Sequence, residues 1–385
     1  MSGENAKPLE TADGKLIPGL TLTHDMIIDR TIVLYGPSKT GKTIFVKTIL
    51  QAVQGHIDQV LLICPTEPSN RSYAGTIPQP LIHYRLHLAD PAVKKDTPIK
   101  AAERFLQAIY DRQDMMAAIY TRANTLATLA ALYARLPGAE RRRGDSYIAS
   151  LERKRRRATR AARARHAGAP GRADEQVKKV DERFEKMLVL VYKKFLTPHV
   201  ARLHRMWRRL SEDERYSLEY LHFNPRLLLI FDDCAAQLKP FFNKEIFRKL
   251  FYQNRHSFIT PVICCQDDTD LPTNLRKNAF ISIFTTAIVA STNFDRASNK
   301  FPKTTRNYVA EIIPEVYGKP GSPGEFRKLA YIREDPRAQH FYHTTCDYPR
   351  TQLFGSGPLQ ELCGEVEAKG TTMDDTNPFF ETFRV

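Results

Sequence analysis

The sequence predicts an α/β fold in which a mostly parallel sheet is covered by helices on both faces. Short apolar runs rich in β-branched residues alternate with segments of helical periodicity, an order typical of parallel strands joined by crossover helices. The first such strand is Ile32-Val33-Leu34-Tyr35 and the second is Val60-Leu61-Leu62-Ile63-Cys64. With 385 residues and 42% hydrophobic side chains, the chain is long enough to bury a substantial core.

A glycine-bounded loop joins the first predicted strand to a helix that continues through Ile44 to Val53. Because the two glycines let the backbone curl, successive N–H groups and the first turn of the helix converge on phosphate oxygens. Lys42 then reaches the terminal phosphates, and the Thr43 hydroxyl binds Mg²⁺, which prefers hard oxygen ligands. We therefore expect a site for a nucleoside triphosphate with Mg²⁺. The residues that match the phosphate-loop pattern G-x-x-x-x-G-K-[ST] are Gly36, Pro37, Ser38, Lys39, Thr40, Gly41, Lys42 and Thr43.

Two carboxylates end a further apolar strand, Leu227 to Phe231, which is followed by Asp232 and Asp233. The carboxyl ends of parallel strands lie at one edge of a sheet, so this pair should meet the phosphate loop. We expect Asp232 to hold Mg²⁺ through water and Asp233 to polarise the attacking water, as hydrolysis of a nucleotide requires. Two solvated acids at a strand end are the alternative, which the upstream phosphate loop disfavours.

The next predicted strand begins at Ile259 and ends at Gln266. An amide in that place can bond both the attacking water and the terminal phosphate, although a plain polar strand end is the alternative. The aspartates that follow, at positions 267, 268 and 270, indicate a solvated turn, with a metal cluster as the alternative. More strands are predicted at 280–286 and, as a terminal hairpin, at 328–332 and 340–345.

Hydrolysis of a nucleotide usually also needs an arginine, often from a neighbouring subunit, to stabilise charge on the transferred phosphoryl group. Arg255, Arg276 and Arg296 are the candidates, since each lies near the end of an element that borders the second half of the sheet. The alternative for any one of them is an ordinary surface arginine.

Between residues 99 and 220 the strand signal disappears and helical composition takes over. Ala101 to Leu136 has apolar residues at three-to-four spacing, Pro137-Gly138 breaks the pattern, and Asp174 to Leu210 carries another apolar stripe. A basic block, Ala139 to Arg172, lies between the two. The pattern predicts a helical hairpin with a basic connector.

The charge of the chain points to a polyanionic partner because it is concentrated. The formal net charge is +15, and the basic block has twelve Lys or Arg against three Asp or Glu, a net +9 in 34 residues. Such a block is typical of a contact to DNA phosphates, of a disordered arm or of a localisation signal.

No apolar run approaches the ~20 residues needed to span a bilayer, and the first residues lack the order of a signal peptide. Six cysteines in a chain of this length do not indicate a disulfide framework, and Cys64, Cys234, Cys264 and Cys265 lie in or beside apolar runs. We expect a reducing compartment.

In the order of these motifs, the chain resembles the genome-packaging ATPases of large DNA viruses, the poxvirus-type branch of the FtsK–HerA class of DNA translocases. The resemblance rests on GPSKTGKT, LLICPTEPSN, LLLIFDD, and NRHSFITPVICCQ followed by LRKNAFISIFTT. These segments cover about 30–75 and 225–300, roughly a third of the chain. The class often has Asp-Glu where this chain has Asp232-Asp233, and the helical section is longer than the viral core needs.

The resemblance implies a RecA-like P-loop NTPase with a long basic helical insertion. It implies that ATP and Mg²⁺ bind at Lys42, Thr43 and Asp232, and that Gln266 senses the terminal phosphate. It also implies a homo-oligomeric ring in which Arg255 and Arg296 serve as the arginines.

The implied function is translocation of double-stranded DNA into a preformed capsid, with 139–172 as a candidate DNA contact. The alternatives are a helicase or conjugation-type DNA pump, and a nucleotide-gated protein that tethers DNA or capsid. The implied place is the virus assembly site in the host cytoplasm, or the virion, with a capsid or membrane-associated virion protein as a further partner. The expected divisions are an N-terminal core part (1–98), the insertion (99–222), a C-terminal core part (223–354) and a flexible tail (355–385).

Overall fold

The computed structural model describes residues 7–87, 97–318, 326–335, 339–345 and 352–368. The chain forms two compact units. The sheet unit comprises Met1–Asp114 and Pro225–Val385, and the helical unit comprises Met115–Asn224.

The elements of the described residues alternate between short strands and helices in the sheet unit, whereas the helical unit has no strand among them. The strands are β1 (Leu9–Glu10), β2 (Leu16–Ile17), β3 (Ile32–Tyr35), β4 (Gln59–Ile63), β5 (Ile82–His83), β6 (Leu227–Phe231), β7 (Ile259–Cys265), β8 (Ile281–Phe284), β9 (Arg327–Ile332) and β10 (Phe341–Thr345). The α-helices are α1 (His24–Ile27), α2 (Lys42–Val53), α3 (Glu67–Asn70), α4 (Pro98–Ala123), α5 (Leu126–Ala134), α6 (Gly138–Arg165), α7 (Pro170–Leu196), α8 (Val200–Arg205), α9 (Glu212–Glu219), α10 (Ala235–Leu238), α11 (Glu245–Tyr252), α12 (Thr273–Arg276), α13 (Ala287–Asp295), α14 (Lys303–Tyr317) and α15 (Gly357–Ala368).

Within the described residues, eight strands form one mixed sheet in the order β10-β9-β8-β3-β7-β6-β4-β5. The strands from β3 to β8 are parallel to their neighbours in this group, and β9 and β10 add an antiparallel hairpin at one edge. The predicted fold class, an α/β fold with a mostly parallel sheet covered by helices and a long helical insertion, is therefore confirmed. In this order β7 separates β3, which leads into the phosphate loop, from β6, which leads into the acid pair.

The main core lies on the parallel strands. Every residue of β3, β4, β6, β7 and β8 is buried, which explains why their sequences are continuous apolar runs instead of alternating ones. The first half of α4 packs on this core through Phe105, Leu106 and Ile109. For this reason the helical unit begins inside α4, at Met115, and not at residue 99.

The helical unit contains a long hairpin, but its first arm is the basic block itself. Leu151 of α6 packs in one apolar cluster with Phe184, Leu188 and Val191 of α7. Arg155 Nε also donates to Asp181 Oδ1 at 2.8 Å. The prediction of a basic connector is wrong, and so is the disordered arm, because Arg and Ala favour helix and α6 has an apolar face to bury.

The C-terminal part of the chain gives one confirmation and one correction. The predicted terminal hairpin is present as β9 and β10, in which Tyr331 pairs with Phe341. The flexible tail is wrong for residues 357–368, which form α15, because Leu359 and Cys363 lie four residues apart and both are buried in the main core. Residues 369–385 of that predicted tail lie outside the described residues.

Two further features of the described residues are the state of their cysteines and the length and polarity of their helices. Cys64, Cys234, Cys264 and Cys265 are free and buried, as expected, and so is Cys363. In the part of the chain that is described, every helix is either too short or too polar to cross a membrane.

Candidate nucleotide site

The phosphate loop curls tightly at the end of β3, and both of its glycines are sterically required. The Gly36 N–H donates to the carbonyl of Cys265 at the end of β7, at 3.1 Å. A Cβ added to Gly36 would lie 1.7 Å from Thr285 Oγ1. Gly41 has φ +89° immediately before α2, a left-handed conformation that glycine adopts without strain. The sequence therefore folds here into the cradle that the motif predicts.

Lys42 is the first residue of α2, and its side chain turns back into the curl of the loop. It is only 8% exposed, and its Nζ donates to the carbonyls of Gly36 and Pro37, at 2.5 and 2.8 Å. The first turn of α2 holds no acidic residue. An ammonium and the positive end of a helix dipole thus face the same space, which suits phosphate oxygens.

The structure brings the two predicted Mg²⁺ ligands together. Asp232 follows β6 and is 6% exposed, and Thr43 Oγ1 donates to its Oδ2 at 3.3 Å. A hydroxyl and a carboxylate are hard oxygen ligands that fit Mg²⁺. Among the described residues there is no group of three or more His, Cys, Asp or Glu side chains placed to hold a metal ion, so phosphate and water oxygens would have to complete the coordination.

A tyrosine that the sequence analysis missed also holds Asp232. Tyr73 lies in the loop after α3, is fully buried, and donates its hydroxyl to Asp232 Oδ2 at 2.7 Å. Burial raises the pKa of this phenol well above its usual value, so it remains a donor at neutral pH. Its own backbone N–H donates to Glu67 Oε1 at 2.8 Å, which ties the loop to α3. No sequence pattern marks this tyrosine.

Asp233 differs from its neighbour in position and partner. It is exposed, has a left-handed φ of +57°, and its Oδ2 accepts from Thr66 Oγ1 at 3.1 Å.

A cleft of about 380 Å³ opens between the phosphate loop and the two acids. The lining residues that the sequence singled out are Ser38, Lys39, Gly41, Lys42, Thr43, Asp232 and Asp233.

Gln266 follows β7, at the carboxyl ends of the parallel strands, where the phosphate loop and the acid pair also lie. Tyr35 of β3 pairs with Cys265, so Gln266 and Gly36 lie side by side at the ends of neighbouring strands. The Gln266 side chain is exposed, while its backbone N–H donates to Asp270 Oδ2 at 2.7 Å. Asp270 thereby fixes the backbone turn beyond the predicted sensor.

Arg296 is placed against a carboxylate. Its Nε and Nη2 donate to the two oxygens of Asp268 at 2.7 and 2.8 Å, and Arg276 donates to the same side chain at 3.2 Å. Asp268 is 1% exposed, so the solvated turn is wrong at this position: a buried carboxylate needs such partners. The predicted action of Arg296 on a nucleotide stays a prediction, and Arg276 is buried in the same cluster.

Arg255 lies at the opposite end of the strands, where β7 begins. It is an exposed residue of the short 3₁₀ turn Asn254–Ser257, just before β7 begins. The strand then runs for seven residues, about 20 Å, before it reaches the phosphate-loop edge. The structure does not bring Arg255 together with the cleft of its own chain.

No family model matches the chain. Solved structures with some likeness are the genome-packaging NTPase B204 of Sulfolobus turreted icosahedral virus 2, the bacterial conjugative coupling protein TrwB and VirB4 of Thermoanaerobacter pseudethanolicus. B204 has a TM-score of 0.33 and 11% identity, and the match covers 82% of this chain and 96% of B204. TrwB has a TM-score of 0.33 and 13% identity, with 93% of this chain and 92% of TrwB covered. VirB4 has a TM-score of 0.35 and 13% identity, with 90% of this chain and 97% of VirB4 covered. Likenesses this weak say nothing about the activity of this chain.

Sequence relatives are far more similar and span the whole chain. The uncharacterized protein B354L of African swine fever virus, from a Kenyan pig isolate and from a Malawian tick isolate, is in each case 46% identical over 379 residues. The alignment covers 98% of this chain and 99% of the relative, so both the sheet unit and the helical unit are shared. This chain belongs to the B354L protein family of African swine fever virus.

Proposed function

We propose that this protein is an ATP-hydrolysing motor that moves double-stranded viral DNA into a preformed capsid. The observation that carries the enzymatic part is the convergence of Lys42, Thr43, Asp232 and Asp233 on one cleft. The basic hairpin supports the DNA part, and the capsid as destination rests on the resemblance of the motifs to viral packaging ATPases.

The residues of the cleft suit hydrolysis of a phosphoanhydride bond. Lys42 and the loop N–H groups hold the phosphates, and Thr43 and Asp232 hold Mg²⁺, which when bound neutralises charge on the phosphate oxygens. Asp233 orients a water molecule and takes its proton. The water oxygen forms a bond to the terminal phosphorus as the bond to the bridging oxygen breaks, which releases ADP and phosphate. Gln266, at the neighbouring strand end, bonds the water and the terminal phosphate.

The hairpin offers one arginine-rich face to a duplex. On α6, Leu151 and Arg155 face α7. Exposed arginines at three- and four-residue spacing run along the same helix, and three of them line a groove with Val177 and Asp181 of α7. From 153 to 163 this face extends about 15 Å. It would contact phosphates without reading sequence, and with affinity that falls as salt rises. The arginines of this face are Arg153, Arg156, Arg157, Arg160 and Arg163.

A ring of identical subunits accounts for the position of Arg255. Because Arg255 is exposed at the end of the sheet away from its own cleft, its proposed action is on the nucleotide of a neighbouring subunit. We place the motor at the virus assembly site in the host cytoplasm or in the virion, with a capsid or membrane-associated virion protein as docking partner.

ATP turnover with and without linear duplex DNA tests the proposal. We expect turnover by the full chain that duplex DNA stimulates, and a loss of about 100-fold or more in Lys42→Ala and Asp233→Asn. Normal turnover by Asp233→Asn would contradict its role as the base. Absence of turnover in the full chain would favour the nucleotide-gated tether, and strand separation on a forked duplex would favour a helicase.

The DNA contact has its own test, the salt dependence of duplex binding. Three neutralised phosphate contacts should lower the slope of log affinity against log salt by about 3. The control variant removes the same charge from exposed arginines of the same unit and should change the slope by less than about 1. Equal slopes in the two variants would dismiss the hairpin as the DNA contact. The variants are Arg153→Gln/Arg156→Gln/Arg160→Gln and the control Arg205→Gln/Arg208→Gln/Arg209→Gln.

A further inference from the structure

The carboxylate of Asp233 has one side-chain hydrogen-bond partner within the part of the chain that is described. Thr66 Oγ1 donates to its Oδ2 at 3.1 Å. Asp233 is exposed and has a left-handed φ of +57°, a region that few residues other than glycine adopt. An exposed aspartate in such a turn has several rotamers open to it, so the Thr66 hydroxyl selects the one that is observed.

The sheet brings Thr66 to Asp233 from the neighbouring strand. Ile63, the last residue of β4, pairs with Phe231, the last residue of β6, and its carbonyl accepts from the Asp232 N–H at 2.9 Å. Thr66 follows β4 and Asp233 follows β6, so the two side chains meet beyond the carboxyl ends of adjacent parallel strands. Both residues line the cleft that the phosphate loop borders.

A buried thiol fixes the direction of the Thr66 hydroxyl. Cys64 Sγ lies 3.5 Å from Thr66 Oγ1, and burial raises the pKa of this thiol to about 11, so the thiol keeps its proton at neutral pH. The carboxylate of a general base only accepts hydrogen bonds. Thr66 therefore gives its one hydrogen to Asp233, and its oxygen is left to accept from the Cys64 thiol.

We propose that Thr66 is a positioning residue for hydrolysis, because by holding Oδ2 of Asp233 it leaves Oδ1 to accept the proton of the attacking water. Cys64 acts one step further back, by holding the Thr66 oxygen. This inference rests on the proposed function, since Thr66 acts only through the base of that reaction. Thr66 belongs neither to the phosphate-loop motif nor to the acid pair.

Steady-state ATP turnover by the full chain tests the role of the hydroxyl. Thr66→Val keeps the shape of the side chain and removes the hydrogen bond. Because a base whose orientation is not fixed is less efficient, we expect kcat to fall about 10- to 100-fold with KM changed by less than about 2-fold. Thr66→Ser keeps the hydroxyl and should recover most of the turnover. The control Thr121→Val, which removes a hydroxyl that donates to the Ala117 carbonyl at 2.7 Å, should turn over ATP normally.

Thermal unfolding and a double variant separate this role from a structural one. The Thr66 side chain makes no cap bond to α3, and water can replace its hydroxyl, so the Tm of Thr66→Val should stay within about 2 °C of the normal value. In the Asp233→Asn background, Thr66→Val should lower single-turnover phosphate release no further, because the base is already lost. An equal further loss in that background would overturn the inference, and so would failure of Thr66→Ser to recover turnover.

The two proposals fail in different ways. If the unmodified chain turns over ATP, Asp233→Asn loses turnover, and Thr66→Val is as active as the unmodified chain, only the role of Thr66 is refuted. If the unmodified chain shows no turnover with or without duplex DNA, the proposed function is refuted together with the inference.

Discussion

Removing one hydroxyl group, in Tyr73→Phe, should raise the Mg²⁺ requirement of the nucleotide site. The Asp232 carboxylate is nearly buried and accepts from Thr43 at 3.3 Å and from Tyr73 at 2.7 Å. Phenylalanine keeps the buried ring and removes only the shorter of these two bonds. The carboxylate is then free to rotate away from the direction in which Thr43 and the phosphates need it.

The size of the effect follows from the kind of bond that is lost. A hydrogen bond to a charged group contributes about 1.5–3 kcal/mol, and loss of a group that orients a metal ligand typically costs 10- to 100-fold in metal affinity or activity. We therefore expect the Mg²⁺ concentration that gives half-maximal ATP turnover to rise about 10- to 100-fold. The free energy of unfolding, from urea denaturation, should fall by about 1–3 kcal/mol.

A matched tyrosine in the other unit provides the control. Tyr133 is buried and donates its hydroxyl to the backbone carbonyl of Arg141 at 2.8 Å. Tyr133→Phe should lower stability by about 1 kcal/mol and leave the Mg²⁺ requirement unchanged. If Tyr73→Phe lost stability but kept the normal Mg²⁺ dependence, Tyr73 would be a structural residue and the reasoning about the orientation of Asp232 would be refuted.

Three other perturbations follow from the contacts described above. Arg296→Gln should lower the free energy of unfolding by about 2–4 kcal/mol, because Asp268 stays buried with one fewer cation. The control variant Arg255→Gln should leave the free energy of unfolding unchanged. If Arg296→Gln kept full stability but lost ATP turnover, Arg296 would act on the nucleotide instead. Burial lowers the pKa of His83 from 6.5 to about 4, so as pH falls the unfolded chain takes up a proton on this histidine before the folded chain does. The free energy of unfolding should therefore fall by about 3 kcal/mol as pH drops from 6.5 to 4. A His83→Leu variant that kept this part of the pH profile would contradict the assignment. Leu359→Ala should lower the free energy of unfolding by about 2–4 kcal/mol, and an unchanged urea midpoint would mean that α15 adds nothing to the core.

The sequence located the site residues that lie at strand ends because apolar runs mark the strands themselves. Once β3, β6 and β7 are recognised as parallel, their carboxyl ends must lie at one edge, and this alone brings Lys42, Asp232 and Gln266 together. The same logic shows that Arg255 lies at the opposite edge, since it precedes the strand that Gln266 follows. Strand direction can thus be read from local pattern, and much of the site follows from it.

What local pattern does not reveal is the partner of a polar group. The aspartates at 267, 268 and 270 look alike in sequence, yet Asp268 is buried between Arg276 and Arg296 while Asp270 accepts backbone N–H groups of the turn. The basic block misled for a related reason. Its charges suggested a connector, but Leu151 of α6 packs against α7 and supplies the apolar contact that makes the block a helix.

Two residues outside the motif approach the phosphate loop from opposite flanks. In the sheet order, β4 and β9 lie on different sides of β3. Tyr73, from the chain after β4, fixes the acid, and Lys328, on β9, touches Gly41. Because each acts only through the tertiary arrangement of distant strands, a match to the phosphate-loop motif is compatible with any residue at either position. Variation at Tyr73, with the motif itself intact, would therefore tune Mg²⁺ dependence separately from the phosphate loop.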